Sequence, residues 1–235
     1  MLFCNVLLIV LCLAIVLVYG IAIFKGICYI RAERRLKKLE KDINDWPRSS
    51  NKPLRKQMTT DTYNHVHSIL TAPDVVDRLE RERDNPLFSF INTYMAGCEH
   101  VNYHHEGDVW QHTKLVISNR IKFDHDYLDV AAALLHDIGK KTALEQNGGK
   151  NMAGHELLGI PYAADVLSGF DFNDDEKELV LWLVQNHTKA NDLPKTTSKY
   201  SCWSLVTHPW YNRLERLAIA DSEGTIGTDG KPVII

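Results

Sequence analysis

The amino-acid sequence predicts an all-α domain that follows a single N-terminal transmembrane helix. Three observations support this prediction: an uncharged apolar run opens the chain, a basic stretch comes next, and the remainder shows helical spacing of apolar residues almost throughout. With 235 residues, the chain is long enough for one sizeable domain and an appendage.

The opening run, Leu2–Phe24, is apolar except for Asn5. As a helix it would be about 34 Å long, enough to cross a bilayer core of about 30 Å. A cleaved signal peptide would need a positively charged start, a shorter apolar core and an Ala-x-Ala-like site, and the sequence has none of these. A buried core helix is the other alternative, but the run is too long and too uniform for one. We therefore predict that residues 1–24 anchor the chain in a membrane.

The segment 25–56 is strongly basic, with 11 Lys and Arg against 4 Asp and Glu, in a chain whose overall net charge is −3. Positive charge beside a membrane span is typical of the cytoplasmic side, and it also attracts anionic lipid headgroups. Within this segment we expect a helix over Arg31–Asn44 and a linker over Pro47–Pro53. The five cysteines form no CxxC pair, which suits the reducing cytosol. The remainder of the chain is acidic, which makes it a poor general nucleic-acid binder.

Residues 57–235 are predicted to form one globular domain, with its chemistry concentrated in a core at 104–224. Six segments have the spacing or the caps of helices: Thr71–Arg83, Gly107–Asn119, Asp126–His136, Gly154–Leu167, Asp174–His187 and Trp203–Asp221. The exception is Ala143–Ala153. Because Asn147-Gly148 is a hairpin turn signal, we expect a small two-stranded β-hairpin flap there.

Residues of the types that bind metal ions occupy positions that the helical pattern assigns to the core. Val109, His112 and Val116, for example, share one helix face because they are spaced by three and four residues. An unpaired buried carboxylate is unfavourable, and a metal ion is a common partner for it. The six candidate ligands are His112, His136, Asp137, His155, His187 and Asp221. They would suffice for two ions bridged by Asp137, and four of them would suffice for one.

Imidazole and carboxylate ligands suit Mn, Fe, Co, Ni and Zn better than Ca, and Mg is also compatible. A lone core histidine is usually a hydrogen-bonded structural residue. The prediction of a metal site therefore depends on the fact that five separate helices each place a His or Asp at a core position. The pair His125-Asp126 lacks this support, because Asp126 stands at a helix start where capping explains it. We assign surface or structural roles to the other isolated histidines, His65, His67, His100 and His208.

The order H…HD…D, formed by His112, His136-Asp137 and Asp221, resembles the signature of the HD-domain superfamily of metal-dependent phosphohydrolases. The strings "HHEGDVWQHT", "ALLHDIGKKT" and "GHE" are similar to the HD domains of bacterial CCA-adding enzymes, and the similarity covers about 104–224. The nucleotidyltransferase part of those enzymes is absent, so the resemblance does not imply their polymerising activity. The predicted anchor also lies outside the family pattern.

The resemblance implies an HD-domain helical bundle that hydrolyses a phosphate ester of a nucleotide or an RNA end, including cyclic phosphodiesters. His155 and His187 match the extra histidines of HD phosphodiesterases that hold two metal ions. The ions would supply an activated water for in-line attack on phosphorus. Lys140 would offset charge on the phosphoryl oxygens; alternatively, it is a cation at a helix C-terminus.

Further roles near the site are expected for residues outside the ligand set. His104, His105 and Asp108 would contact substrate or assist the leaving group, and Glu156 would orient a ligand imidazole from outside. Two other functions stay open. The same ligand pattern occurs in HD-type oxygenases with a di-iron centre, and the domain could instead be a non-catalytic membrane module that senses a nucleotide. The sequence also leaves open whether the chain forms a homo-oligomer.

Overall fold

The computed structural model describes residues 60–100, 105–192 and 199–232, all within the compact unit Leu54–Ile235. The predicted anchor, the basic segment 25–56 and His104 lie outside the described residues. None of the helices in the described ranges is long and apolar enough to cross a membrane.

The described part of the chain is helical and contains no β-strand, which confirms the all-α class for these residues. Its α-helices are α1 (Thr60–Leu70), α2 (Val75–Glu82), α3 (Val109–Arg120), α4 (Tyr127–Leu135), α5 (Lys140–Gln146), α6 (His155–Leu158), α7 (Ile160–Gly169), α8 (Asp174–Asp192), α9 (Lys199–Val206) and α10 (Tyr211–Gly224). A π-helical turn over Ile91–Met95 lies between α2 and α3. Isolated bridges pair Glu99 with Asp108 and Ile226 with Pro232.

Four helices form the centre of the fold: α10 packs against α3 and α8, and α4 packs against the same two. The run Val130–Leu135 of α4 is fully buried. Its three alanines, Ala131–Ala133, are small enough to let the neighbouring helices approach closely. Large apolar side chains from α3, such as Trp110 and Ile117, complete the core. The central four helices carry most of the candidate ligands, so this packing positions the site.

The predicted hairpin flap at Ala143–Ala153 is wrong, because Asn147-Gly148 ends a helix there. Helix α5 runs through Gln146, and Gly148 and Gly149 follow with φ of 62° and 77°. The amide of Gly149 donates to the carbonyl of Leu144, and that of Gly148 donates to Glu145, at 2.8 and 3.2 Å. This is the pattern of a Schellman motif, which satisfies the last carbonyls of a helix. The same dipeptide is therefore a helix stop here, because the preceding residues are helical rather than extended.

Several predicted helix boundaries also need correction. The segment Trp203–Asp221 is two helices, α9 and α10, because the break between them contains Pro209, which cannot donate an intrahelical hydrogen bond. The segment Gly154–Leu167 divides at Gly159 for a similar reason, with Pro161 opening α7. The prediction also omitted α1, although its buried Val66, Ile69 and Leu70 have helical spacing.

Ion pairs tie the ligand-bearing helices α3, α4 and α10 together at the end remote from the ligands. Arg120 of α3 is buried and bonds the buried Asp129 of α4. Arg213 of α10 contacts both carboxylate oxygens of Asp126 at 3.2 Å. Asp126 also caps α4, accepting from the amide of Leu128 at 2.9 Å, which confirms the capping explanation of this residue.

Candidate metal centre

The candidate ligands come from five helices or their ends. His112 lies in the first turn of α3, His136 caps the C-terminus of α4 with Asp137 next to it, His155 opens α6, His187 lies in α8 and Asp221 lies in α10. His112, His136, Asp137 and His187 are at most 1% exposed, whereas the side chains of His155 and Asp221 are 12% and 14% exposed. The set therefore opens to solvent on one side.

Asp137 lies at the centre, and its two carboxylate oxygens face different histidines. Oδ2 is 3.1 Å from His136 Nε2 and 3.5 Å from His112 Nε2. Oδ1 is 3.1 Å from His155 Nε2 and 3.7 Å from His187 Nε2. Asp221 Oδ1 completes the first side, 2.9 Å from His112 Nε2.

The ligand atoms form two groups in which every atom lies within 4.8 Å of the others: His112, His136 and Asp221, and Asp137, His155 and His187. We name them the first and the second ligand group. Each group has the nitrogen and oxygen donors that transition-metal ions prefer.

Three of the imidazoles are held in the same way by the backbone. The Nδ1 atoms of His136, His155 and His187 lie 2.8, 2.9 and 2.7 Å from the carbonyl oxygen three residues earlier. Because a carbonyl oxygen only accepts, Nδ1 must donate, and this leaves Nε2 as the atom that faces the site. Outer hydrogen bonds of this kind fix the tautomer and the ring orientation of metal-binding histidines.

The charges in the cluster also fit metal ions. Burial opposes ionisation of Asp137, but the neighbouring His136 and Lys140 outweigh it and hold the pKa of this carboxyl well below its usual range. Burial, reinforced by His155 and His136, lowers the pKa of His187 to about 3, so this imidazole is neutral, as a ligand must be. Burial disfavours charge on His136, yet Asp137 raises its pKa to about 10. A metal ion bound there would displace that proton.

A cavity of about 430 Å³ opens onto the ligands. Its lining includes Asp137, His155, His187 and Asp221, together with His100, Lys140, Met152, Thr188 and Thr225. Lys140 Nζ lies 2.6 Å from Asp137 Oδ2 and 3.4 Å from His100 Nδ1, and its side chain is 9% exposed. It stands at the start of α5, so the alternative of a cation at a helix C-terminus is wrong. The cavity thus brings a cation and two threonines beside the candidate ligands.

The sequence also suggested roles near the site for Asp108, His105 and Glu156, and the structure describes the contacts or the exposure of each. Asp108 caps α3, accepting from the amides of Gln111 and Gly97 at 2.9 and 2.7 Å. The side chain of His105 is exposed. Glu156 is 3.8 Å from His155 Nδ1, whose hydrogen bond goes to a carbonyl instead, so the expected orienting role of Glu156 is wrong.

Sequence reasoning missed two residues of the site. His100, expected to be surface or structural, lines the cavity, and its ring centroid is 5.3 Å from that of His112. The side chain of Glu106 is 1% exposed, and its Oε1 lies 2.9 Å from His112 Nδ1. Neither stands on a helix, so the helical spacing that identified the other residues gave no signal for them.

Gly139 holds α6, and with it His155, close to the Asp137 turn. A methyl group at Gly139 would lie 2.5 Å from Gly159 N and closer still to the carbonyl oxygen of His155. Gly139→Ala should therefore lower the free energy of unfolding by about 1–3 kcal/mol, because backbone must move to admit the methyl. Chemical denaturation measures this, with Gly169→Ala as the control, since nothing lies within 4 Å of a methyl group there. Equal stabilities for the two variants would contradict the close contact.

Residues 117–223 match the family model described as the HD domain. The matched range contains five of the six candidate ligands, and His112 lies just before it. The HD domain indicates a superfamily of metal-dependent hydrolases. In this chain the second ligand group lies within the matched range, and the first combines His136 and Asp221 from that range with His112. The match thus supports the HD-domain superfamily for residues 117–223, the part of the helical core that carries five of the six candidate ligands.

Proposed function

We propose that this protein is a metal-dependent phosphohydrolase that hydrolyses a phosphomonoester or a phosphodiester, including cyclic ones, of a nucleotide or an RNA end. The observation that carries the proposal is Asp137, whose two oxygens face two ligand groups beside a cavity that also contains Lys140. Divalent ions held by these ligands would supply an activated water and positive charge toward a phosphoryl group. The similarity of "HHEGDVWQHT" to the HD domains of CCA-adding enzymes supports a nucleotide or an RNA end.

The residues of the chain itself provide binding and orientation. Lys140 offers an ammonium group that can contact a phosphoryl oxygen and offset its charge. Thr188, at the cavity wall, can donate its hydroxyl hydrogen to a further substrate oxygen, whereas the hydroxyl of Thr225 donates to the carbonyl of Asp221 at 3.2 Å. Because Lys140 is nearly buried and paired with Asp137, it is held in place before the substrate arrives.

The proposal is tested by loading the full-length chain with Mn, Co, Ni, Zn, Fe or Mg and screening phosphomonoesters, cyclic nucleotides and 2′,3′-cyclic RNA ends. We expect metal-dependent release of phosphate or ring opening by the wild type and none by Asp137→Ala. Metal binding with oxygen consumption, and without phosphate release, would favour the di-iron oxygenase. Nucleotide binding without turnover under every metal would favour the sensing module.

We further propose that residues 1–24 anchor the enzyme in a membrane, with the catalytic domain on the cytoplasmic side and the basic segment 25–56 on anionic lipid. The support is the length of the uncharged run and the charge that follows it. Both lie outside the described residues.

Deletion of residues 1–30 should release an active enzyme from membranes, because the candidate ligands all lie far beyond this segment. Fractionation and turnover of the deletion variant, compared with the full-length chain, measure both effects. A truncated chain that stays with membranes in high salt, where the basic segment is screened, would contradict the anchor.

A further inference from the structure

Glu106 is a buried carboxylate for which the proposed reaction has no direct use. Its side chain is 1% exposed, and burial of an unpaired carboxylate is unfavourable, so its contacts must offset that burial. Oε1 lies 2.9 Å from His112 Nδ1. Oε2 accepts from the amide of Ile226 at 2.9 Å. The carboxylate therefore connects the loop before α3 to the segment after α10.

This contact sets His112 apart from the other imidazoles of the site. His136, His155 and His187 are each held by a carbonyl of their own chain segment. His112 Nδ1 instead lies 2.9 Å from a carboxylate oxygen of Glu106, and its Nε2 lies 2.9 Å from Asp221 Oδ1, inside the first ligand group. A side chain that mutation can change therefore lies against Nδ1 of this ring.

We propose that Glu106 is the positioning residue that fixes His112 as a metal ligand through Nε2. A carboxylate accepts and cannot donate, so it keeps the proton of His112 on Nδ1 and leaves the Nε2 lone pair for a metal ion. The inference rests on the metal centre of the proposed function, but not on which ester is hydrolysed.

Glu106→Gln tests the proposal because it keeps the shape and changes the hydrogen bonding. If the amide oxygen accepts from Ile226, the NH2 group points at His112 Nδ1 and forces the proton onto Nε2, which then cannot bind a metal ion. If the amide is flipped, its NH2 group faces the amide N–H of Ile226, so two donors oppose each other. Either orientation disturbs the arrangement that the carboxylate allows.

The experiment measures metal content and affinity of the full-length chain by elemental analysis and metal titration. We expect Glu106→Gln to weaken binding in the first ligand group by about 10–100-fold and to spare the second group, whose imidazoles do not contact Glu106. Glu156→Gln is the matched control, since Glu156 does not hold His155, and it should keep the wild-type metal content. Glu106→Asp keeps an acceptor-only group and should lose less affinity than Glu106→Gln.

The outcomes separate this inference from the proposed function. A wild-type chain that binds no transition metal overturns both. A wild type that binds metal, with Glu106→Gln binding equally tightly, overturns the role of Glu106 alone. Equal losses in Glu106→Gln and Glu106→Asp, together with lower melting temperatures of the metal-free proteins, would reduce Glu106 to a structural residue and also overturn it. Selective loss from one ligand group at an unchanged metal-free melting temperature supports it.

Discussion

Asp137→Ala is expected to remove all bound metal and abolish turnover. Its Oδ1 lies 3.1 Å from His155 Nε2 in the second ligand group, and its Oδ2 lies 3.1 Å from His136 Nε2 in the first, so this one carboxylate serves both groups. The alanine leaves the second group with two imidazoles, His155 and His187, and it leaves Lys140 without its partner 2.6 Å away. An unpaired ammonium beside the remaining histidines adds repulsion to any incoming cation. Elemental analysis and the phosphate-release assay measure both losses.

Asp126→Ala is the matched control, because Asp126 also follows a histidine and also lies at the end of a helix. It caps α4 and pairs with Arg213, at the end of the bundle remote from the metal centre. We expect a loss of about 1 kcal/mol of stability from the cap, with metal content and turnover retained. The half-exposed pair with Arg213 adds little, since such ion pairs contribute about 0–1 kcal/mol.

The comparison has a definite outcome that would refute the site. Loss of metal from Asp126→Ala with retention in Asp137→Ala would mean that the ions, if any, bind elsewhere. Loss of metal from both variants would require a folding check by circular dichroism, because unfolding also releases metal. A folded Asp137→Ala protein without metal supports the assignment.

Much of the site could be predicted from the sequence because helical spacing reports which side of a helix is buried. His112 and His187 continue apolar stripes, and the structure buries both, at 0% and 1% exposure. Asp137 comes shortly after the buried run Val130–Leu135 and is itself buried. A carboxylate in such a position needs a partner that offsets its burial. Helix packing then brings these positions together, since inward faces of neighbouring helices converge on one core.

The other features of the site and fold could not be predicted, because they depend on contacts of segments whose sequence has no helical periodicity. Glu106 reaches Ile226 across 120 positions of sequence, and no local pattern signals that contact. His100 enters the cavity from a loop whose path is set by the helices around it. The type of the Asn147-Gly148 turn does not follow from the dipeptide, because the same dipeptide suits a hairpin and a helix C-terminus. The helical residues before it, Leu144 and Glu145, decide between these structures.

His155→Ala and His187→Ala are each expected to remove the metal ion of the second ligand group. Both variants should keep the ion of the first ligand group. Four residues remain to hold the spared ion: His112, His136, Asp137 and Asp221. Since the loss of an outer partner alone weakens metal binding about 10–100-fold, the loss of a direct ligand should exceed about 100-fold. Turnover should fall steeply, because one of the two metal ions that would face the phosphoryl group is lost.

A single-ion site predicts a different result for the same variants. His155 and His187 would then contact only the phosphate, so their removal would raise KM or slow turnover while metal content stays at one ion per chain. The geometry favours two ions, because His155 Nε2 and His187 Nε2 are 3.1 Å apart and both face Asp137 Oδ1. Combining His155→Ala with Glu106→Gln tests whether the two substitutions act on different ions.

If each variant alone disables a different ion, the double variant should bind none under conditions where either single variant keeps one. A double variant that still holds one ion would show that both substitutions act on the same ion.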